Sequence, residues 1–174
     1  MSNPDDESLF RLVIGDSPEL AAVHKTTGCL DDIIWTRDDA TVFDTWQSIY
    51  RVALERDGLI SELDFETKCF ANSDSLDDFA RASMNSRPID PASGLTLVDT
   101  DQFGSRQEAC SRVEGCTGWW RFTGVGYNQD GSQAILHTDY EHPKYSLMGT
   151  GHFVLLERVD SVWSVVAKHM TWIS

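Results

Sequence analysis

Four of the five histidines in this 174-residue chain lie in its C-terminal part, and the densest group is the run HTDYEH, with His137, Asp139 and His142. Alternation along a strand puts His137 and Asp139 on one face, as a metal site requires. His152 and His169 are further imidazoles that neighbouring strands could supply. No recognised zinc-ligand spacing accompanies them, however, and structural zinc normally takes four ligands. The expectation is no stoichiometric metal and no cofactor, with these histidines solvated or satisfied in a core.

Hydrolytic chemistry finds no clearer footing. There is no Gly-x-Ser-x-Gly elbow, and none of Cys29, Cys69, Cys110 and Cys116 sits in a nucleophile motif. Gly149-Thr150-Gly151-His152 leads into a strand pattern, where a phosphate-cradling loop leads into a helix. Its glycines are better read as relief at a sheet bend. A hydrolase of unknown type is the third reading, and the chain leans away from being an enzyme.

Two non-catalytic readings stand above it. With 28 acidic and 14 basic residues, the net charge is −14 and the sequence pI is about 4.5. Phosphate backbones repel such a surface, so direct nucleic-acid binding is not expected. An acidic surface suits a basic protein partner, as immunity proteins dock basic toxins, and this non-catalytic interaction module is the first reading. The alternative is a small-molecule-binding α+β protein whose pocket is lined by Trp119, Trp120, Trp163 or Trp172, with His152 and His169 as further candidates. The two readings predict different things. A partner surface requires acidic residues clustered on one patch, and a pocket requires a closed apolar cavity.

Placing these residues falls to a C-terminal run of strands. Period-two segments occupy Trp119–Tyr127, Gln133–Tyr140, Gly151–Arg158 and Val162–Trp172. Asn128–Gly131 and Asp160–Ser161 carry hairpin-turn chemistry. Upstream, Ala40 to Arg56 has one apolar stripe containing Val42, Phe43, Trp46, Ile49, Tyr50, Ala53 and Leu54, and this reads as a helix lying on the sheet. Ser17-Pro18 opens a short helix over Pro18–Lys25, closed by Gly28. Ser75 with Asp78, and Ser105 with Glu108, resemble capping boxes, the first opening a helix over Leu76–Met84. Residues 1–7 read as frayed, Leu9–Ile14 as strand or helix lead-in, and Leu95–Val98 as an edge strand. The fold expected is one α+β domain over residues 1–174, with a helical part near 8–115. An antiparallel β-meander of four or more strands near 118–174 is covered by the N-terminal helices.

The N-terminus lacks a basic leader and no run is long enough to span a membrane, so the expected location is the cytoplasm. Its reducing conditions would keep the cysteines as free thiols, and a Cys110–Cys116 bridge is expected only in an exported protein.

GVGYNQDGSQAI, GTGHFVLLERVDSVWSV and the closing TWIS resemble an uncharacterised group of bacterial proteins with an aromatic VGFN-like turn, a Gly-x-Gly before an LLEK-like strand, and a final Trp. The resemblance supports the meander and carries no established activity. Where that group often has a Cys-Gly loop, this chain has EHPKYSLMG.

Register supplies one sharper expectation. A two-residue turn at Asp160-Ser161 pairs Val159 with Val162. Counting back, it sets Leu156 opposite Val165, Val154 opposite Ala167, and His152 opposite His169. Two imidazoles so placed would resist double protonation. A three-residue loop or a bulge would shift the pairing and place His152 opposite Lys168 or Met170.

Overall fold

The computed structural model describes residues 5–29, 71–99, 102–103, 105–145 and 148–173. Among them, seven strands form one mixed sheet: β1 (Ala21–His24), β2 (Thr96–Val98), β3 (Gly118–Phe122), β4 (Gly126–Tyr127), β5 (Gln133–Glu141), β6 (Gly149–Val159) and β7 (Val162–Ile173). β3, β5, β6 and β7 are antiparallel neighbours in that order, and β4 pairs with β5. β1 and β2 extend the sheet in parallel, with β1 between β2 and β3. The protein is α+β, and the C-terminal meander is present, but the sheet is not purely antiparallel.

Strand alternation sends side chains to two faces, and described helices cover parts of both. On one face, Phe122, Leu136, Val154 and Leu156 pack against Leu9, Phe10 and Val13 of α1 (Asp6–Ile14). On the other, Ile135, Phe153, Leu155 and Ala167 pack against Leu76 and Phe79 of α2 (Ser73–Ala82). Further along that second face, Ala22 and Trp119 pack against Ala109 and Cys110 of α3 (Arg106–Ser111). Burial on both faces explains why β6 and β7 lack clean polar alternation. The expected helix Ala40–Arg56, with Trp46, Ile49, Ala53 and Leu54, lies outside the described residues.

Several local expectations are corrected. Pro18 opens only a single 3-10 turn, Pro18–Leu20; the chain then enters β1, where Ala21, Ala22 and Val23 are fully buried between two strands. Sheet burial overrides the local helix signal. Asp6 and Glu7 are not frayed but buried in α1, where Asp6 accepts hydrogen bonds from the Tyr127 hydroxyl (2.7 Å) and from Arg87. The cap of α2 is Asn72, not Ser75. Ser75 and the Asn72 backbone N–H instead donate to Gln133 Oε1 on β5, and Asp78 accepts from the Tyr127 backbone N–H. Glycines permit this close approach, because a Cβ at Gly124 or Gly126 would overlap the α2 backbone at Ala82 or Phe79.

The expected strand Trp119–Tyr127 is broken between β3 and β4. There Thr123 exchanges hydrogen bonds with His137 through both its backbone and its hydroxyl. Ser105 does cap α3 as its spacing implied, accepting from the Glu108 N–H at 3.1 Å.

The last hairpin begins as expected. Asp160 and Ser161 both adopt positive φ (51° and 66°), and Val159 pairs with Val162. The regular register holds as far as Leu156 and Val165, then shifts, so that Leu155 pairs with Ala167 and Val154 with Lys168. Val166 is the extra residue of a β-bulge, and it packs with Ala167 on the α2 face. A second shift falls between Gly151 and His152. The first shift alone pairs His152 with Met170, and His169 with Phe153. The expected His152–His169 pair does not form.

Candidate functional site

The bulge decides what gathers on the α1 face. Trp120 pairs with Tyr140 and Tyr140 with Thr150; Thr138 pairs with His152, and Val154 with Lys168. Directly paired residues share a face, so these side chains come from four adjacent strands to one place. Nine residues of helix rise about 13 Å, much less than the strands beneath. α1 stops at Ile14, where Gly15 turns away with φ 98°. A cavity of about 180 Å³ opens beside Val13 of its last turn. Val13, Val154 and Trp120 give it apolar walls, Thr138, Tyr140 and Thr150 supply hydroxyls, and His152 and Lys168 supply nitrogen donors.

The aromatic wall is anchored in the core. Phe10 stacks on Phe122 at 4.4 Å, Phe122 is parallel to Trp120 at 6.1 Å, and Trp120 meets Tyr140 at 4.7 Å. Tyr140 donates to the Thr117 carbonyl (3.1 Å), and its ring occupies the space that a Cβ at Gly118 would need. Burial raises the Tyr140 phenol above its ordinary pKa, so it remains a donor at neutral pH. The Trp120 indole N–H is buried with no hydrogen-bond partner among the described residues.

Lys25, Arg81, Arg87, Arg112 and Arg158 each pair with a carboxylate. Arg11, Lys144 and Lys168 have no ion pair among the described residues, and of these three Lys168, exposed at the rim, lines this cavity.

His137 lies on the opposite face, fully buried, with its ring 4.8 Å from Phe153 and its Nδ1 4.0 Å from Asp139 Oδ1. Burial, and secondarily His152, push its pKa down to about 3, so it is neutral at physiological pH. His142 follows the end of β5, where its Nδ1 accepts from the Lys144 N–H and its ring meets Tyr145. Among the described residues, no three His, Cys, Asp or Glu side chains converge as a metal site would need.

The tryptophans scatter. Trp119 is buried against α3, Trp163 packs near Tyr127 under Arg158, and Trp172 pairs with Gly151. Of the side chains singled out for a pocket that are described, namely Trp119, Trp120, Trp163 and His152, the cavity collects Trp120 and His152. Thr138, Tyr140, Thr150 and Lys168 join them unforeseen. The first three share even-numbered strand positions with Trp120 and His152, a signal the alternation contains, whereas Lys168 reaches this face only through the bulge.

Two other concavities flank the sheet. One, of about 270 Å³, is lined by Ser105, Gln107, Cys110, Trp119, Glu141, His142 and Pro143. Cys110 is there bonded to Cys116, correcting the expectation of free thiols for these two, while Cys29 is a free thiol and Cys69 lies outside the described residues. Gly115, at φ 73°, turns the chain after α3 and brings the two Cα atoms to 5.8 Å. The other, of about 500 Å³, holds Asp74, Asp77 and Asp78 beside Tyr127, Asn128 and Gln129. Asp74 accepts from the Gln129 N–H (2.8 Å) and Asp78 from the Tyr127 N–H (2.9 Å), so these carboxylates hold the β4–β5 turn against α2.

Comparison with protein-family models, curated proteins and solved structures gives no match. Function therefore has to be read from the site itself. No helix among the described residues is long and apolar enough to cross a membrane.

Proposed function

We propose that this protein binds a small molecule in the cavity beyond the end of α1. The observation that carries the reading is convergence: Trp120, Thr138, Tyr140, Thr150, His152 and Lys168 come from four strands to one concave site. Apolar walls with a few directed polar groups are the usual composition of a ligand site. A volume near 180 Å³ suits a ligand no larger than a ring with one or two substituents.

The acidic interaction module draws less support. Its clearest cluster, Asp74 and Asp78, is engaged in holding a turn, and surface charge alone also serves solubility. A hydrolase gains nothing from His137, which is neutral and enclosed. The Cys110–Cys116 bridge favours an oxidising compartment over the expected cytoplasm.

Ligand-observed NMR with a library of small aromatic fragments tests the reading. Thr150→Trp, at a half-buried lining position, fills the cavity and should abolish the hits seen with the unmodified protein. An absence of hits, or hits unchanged by Thr150→Trp, would overturn it.

A further inference from the structure

We infer that the ligand of this cavity is a small planar monocarboxylate, with its ring against Trp120 and Tyr140 and its carboxylate at Lys168; this rests on the cavity being a ligand site.

The sign of the ligand charge follows from Lys168. Five Lys and Arg side chains are matched to carboxylates, in a chain with twice as many acidic as basic residues; Arg11 and Lys144 are not, but neither lines the cavity. Lys168 has no such match among the described residues, yet it sits at a concave site. An ammonium there disfavours a cationic ligand and completes a charge-assisted hydrogen bond with an anionic one. The net charge of −14 opposes an approaching anion only weakly at physiological salt, because charges beyond about 8 Å are screened. Contact with Lys168 is not screened in that way, so the local cation wins.

Charge number and shape come from the other walls. One lysine, with Val13 and Val154 opposite polar groups, cannot neutralise a dianion such as a phosphate monoester in so small a space. A single carboxylate has two acceptor oxygens. Lys168 can donate to one of them and match the single charge, and the other can remain in solvent at the open side of the cavity. Trp120 and Tyr140 meet at 53° with centroids 4.7 Å apart, so a flat ring can lie on one and meet the edge of the other.

The test is calorimetric titration with benzoate, benzamide and benzylamine, using the full chain and the exposed-site variants Lys168→Met and Lys168→Arg. Benzoate should bind at least about tenfold tighter than benzamide, and benzylamine most weakly. Lys168→Met should erase the preference for benzoate, and Lys168→Arg should keep it. Equal binding of benzoate and benzamide, or a preference that survives Lys168→Met, overturns the anion assignment and leaves the ligand-site reading standing. Failure of all three probes to bind, together with a fragment library that yields no hits, overturns both.

Discussion

Lys168 faces Val154 across the β6–β7 ladder, where a regular hairpin would have put Ala167. One extra residue, Val166, makes the difference. It moves a cation onto the α1 face and leaves Ala167 buried under α2. Interstrand NOEs should link Val154 to Lys168 and His152 to Met170. NOEs that instead link Val154 to Ala167 and His152 to His169 would restore the unbulged register and remove Lys168 from the cavity.

Gly126 and Gly118 should respond differently to alanine. At Gly126 the new Cβ meets the Phe79 backbone, which cannot move without displacing α2 from the sheet. Gly126→Ala should cost about 3 kcal/mol in urea unfolding. At Gly118 the obstacle is the Tyr140 ring, which can swing away. Gly118→Ala should cost only about 1 kcal/mol but weaken ligand binding, since it displaces a cavity wall. Equal costs at the two sites would contradict this packing.

His137 makes stability depend on acid. Its pKa falls from 6.5 in the unfolded chain to about 3 when folded, chiefly through burial. Its contribution is therefore complete above pH 6.5 and is lost as pH falls toward 3, at a limiting slope of about 1.4 kcal/mol per pH unit. Asp6 acts in the opposite sense. Burial raises its carboxyl pKa above 3.8, so its contribution is complete below that value and shrinks as pH rises through the folded one. Asp6 therefore does not produce an acid loss. Urea melts between pH 6.5 and 4 should show the decline, and His137→Leu should flatten it. An unchanged slope in the variant would locate the acid sensitivity elsewhere.

The turn at Asp160-Ser161 offers a stabilising substitution. Ser161 holds φ 66°, a conformation that glycine reaches without steric cost. Ser161→Gly should raise stability by about 0.5 kcal/mol after its added chain entropy is subtracted. A loss of stability would mean that the turn is not of the type with positive φ at both central residues.

Local chemistry made part of this fold legible in the sequence. Asp160-Ser161 announced a two-residue turn because few residue pairs tolerate two positive φ values. Ser105 announced a helix start because its hydroxyl can accept the Glu108 N–H. The bulge at Val166 was not legible, since the run Val165-Val166-Ala167 is apolar throughout and both faces of the sheet accept it. β1 was misread because Ser17-Pro18 is a sound helix opening, and only pairing with β2 and β3 makes Ala21–His24 a strand. The cavity was half legible: Trp120 and His152 stood out as aromatic and titratable, while Thr138, Tyr140 and Thr150 required the strand register to join them.

The most direct test of the cavity as the functional site is a backbone and indole ¹⁵N–¹H NMR titration of the intact chain with benzoate. Saturable shifts should centre on Trp120, including its indole N–H, and on Val13, Thr138, Tyr140, Thr150, His152, Val154 and Lys168. Shifts centred on Asp74–Asp78 or on Ser105–Cys110, with the α1-face residues unmoved, would contradict the account.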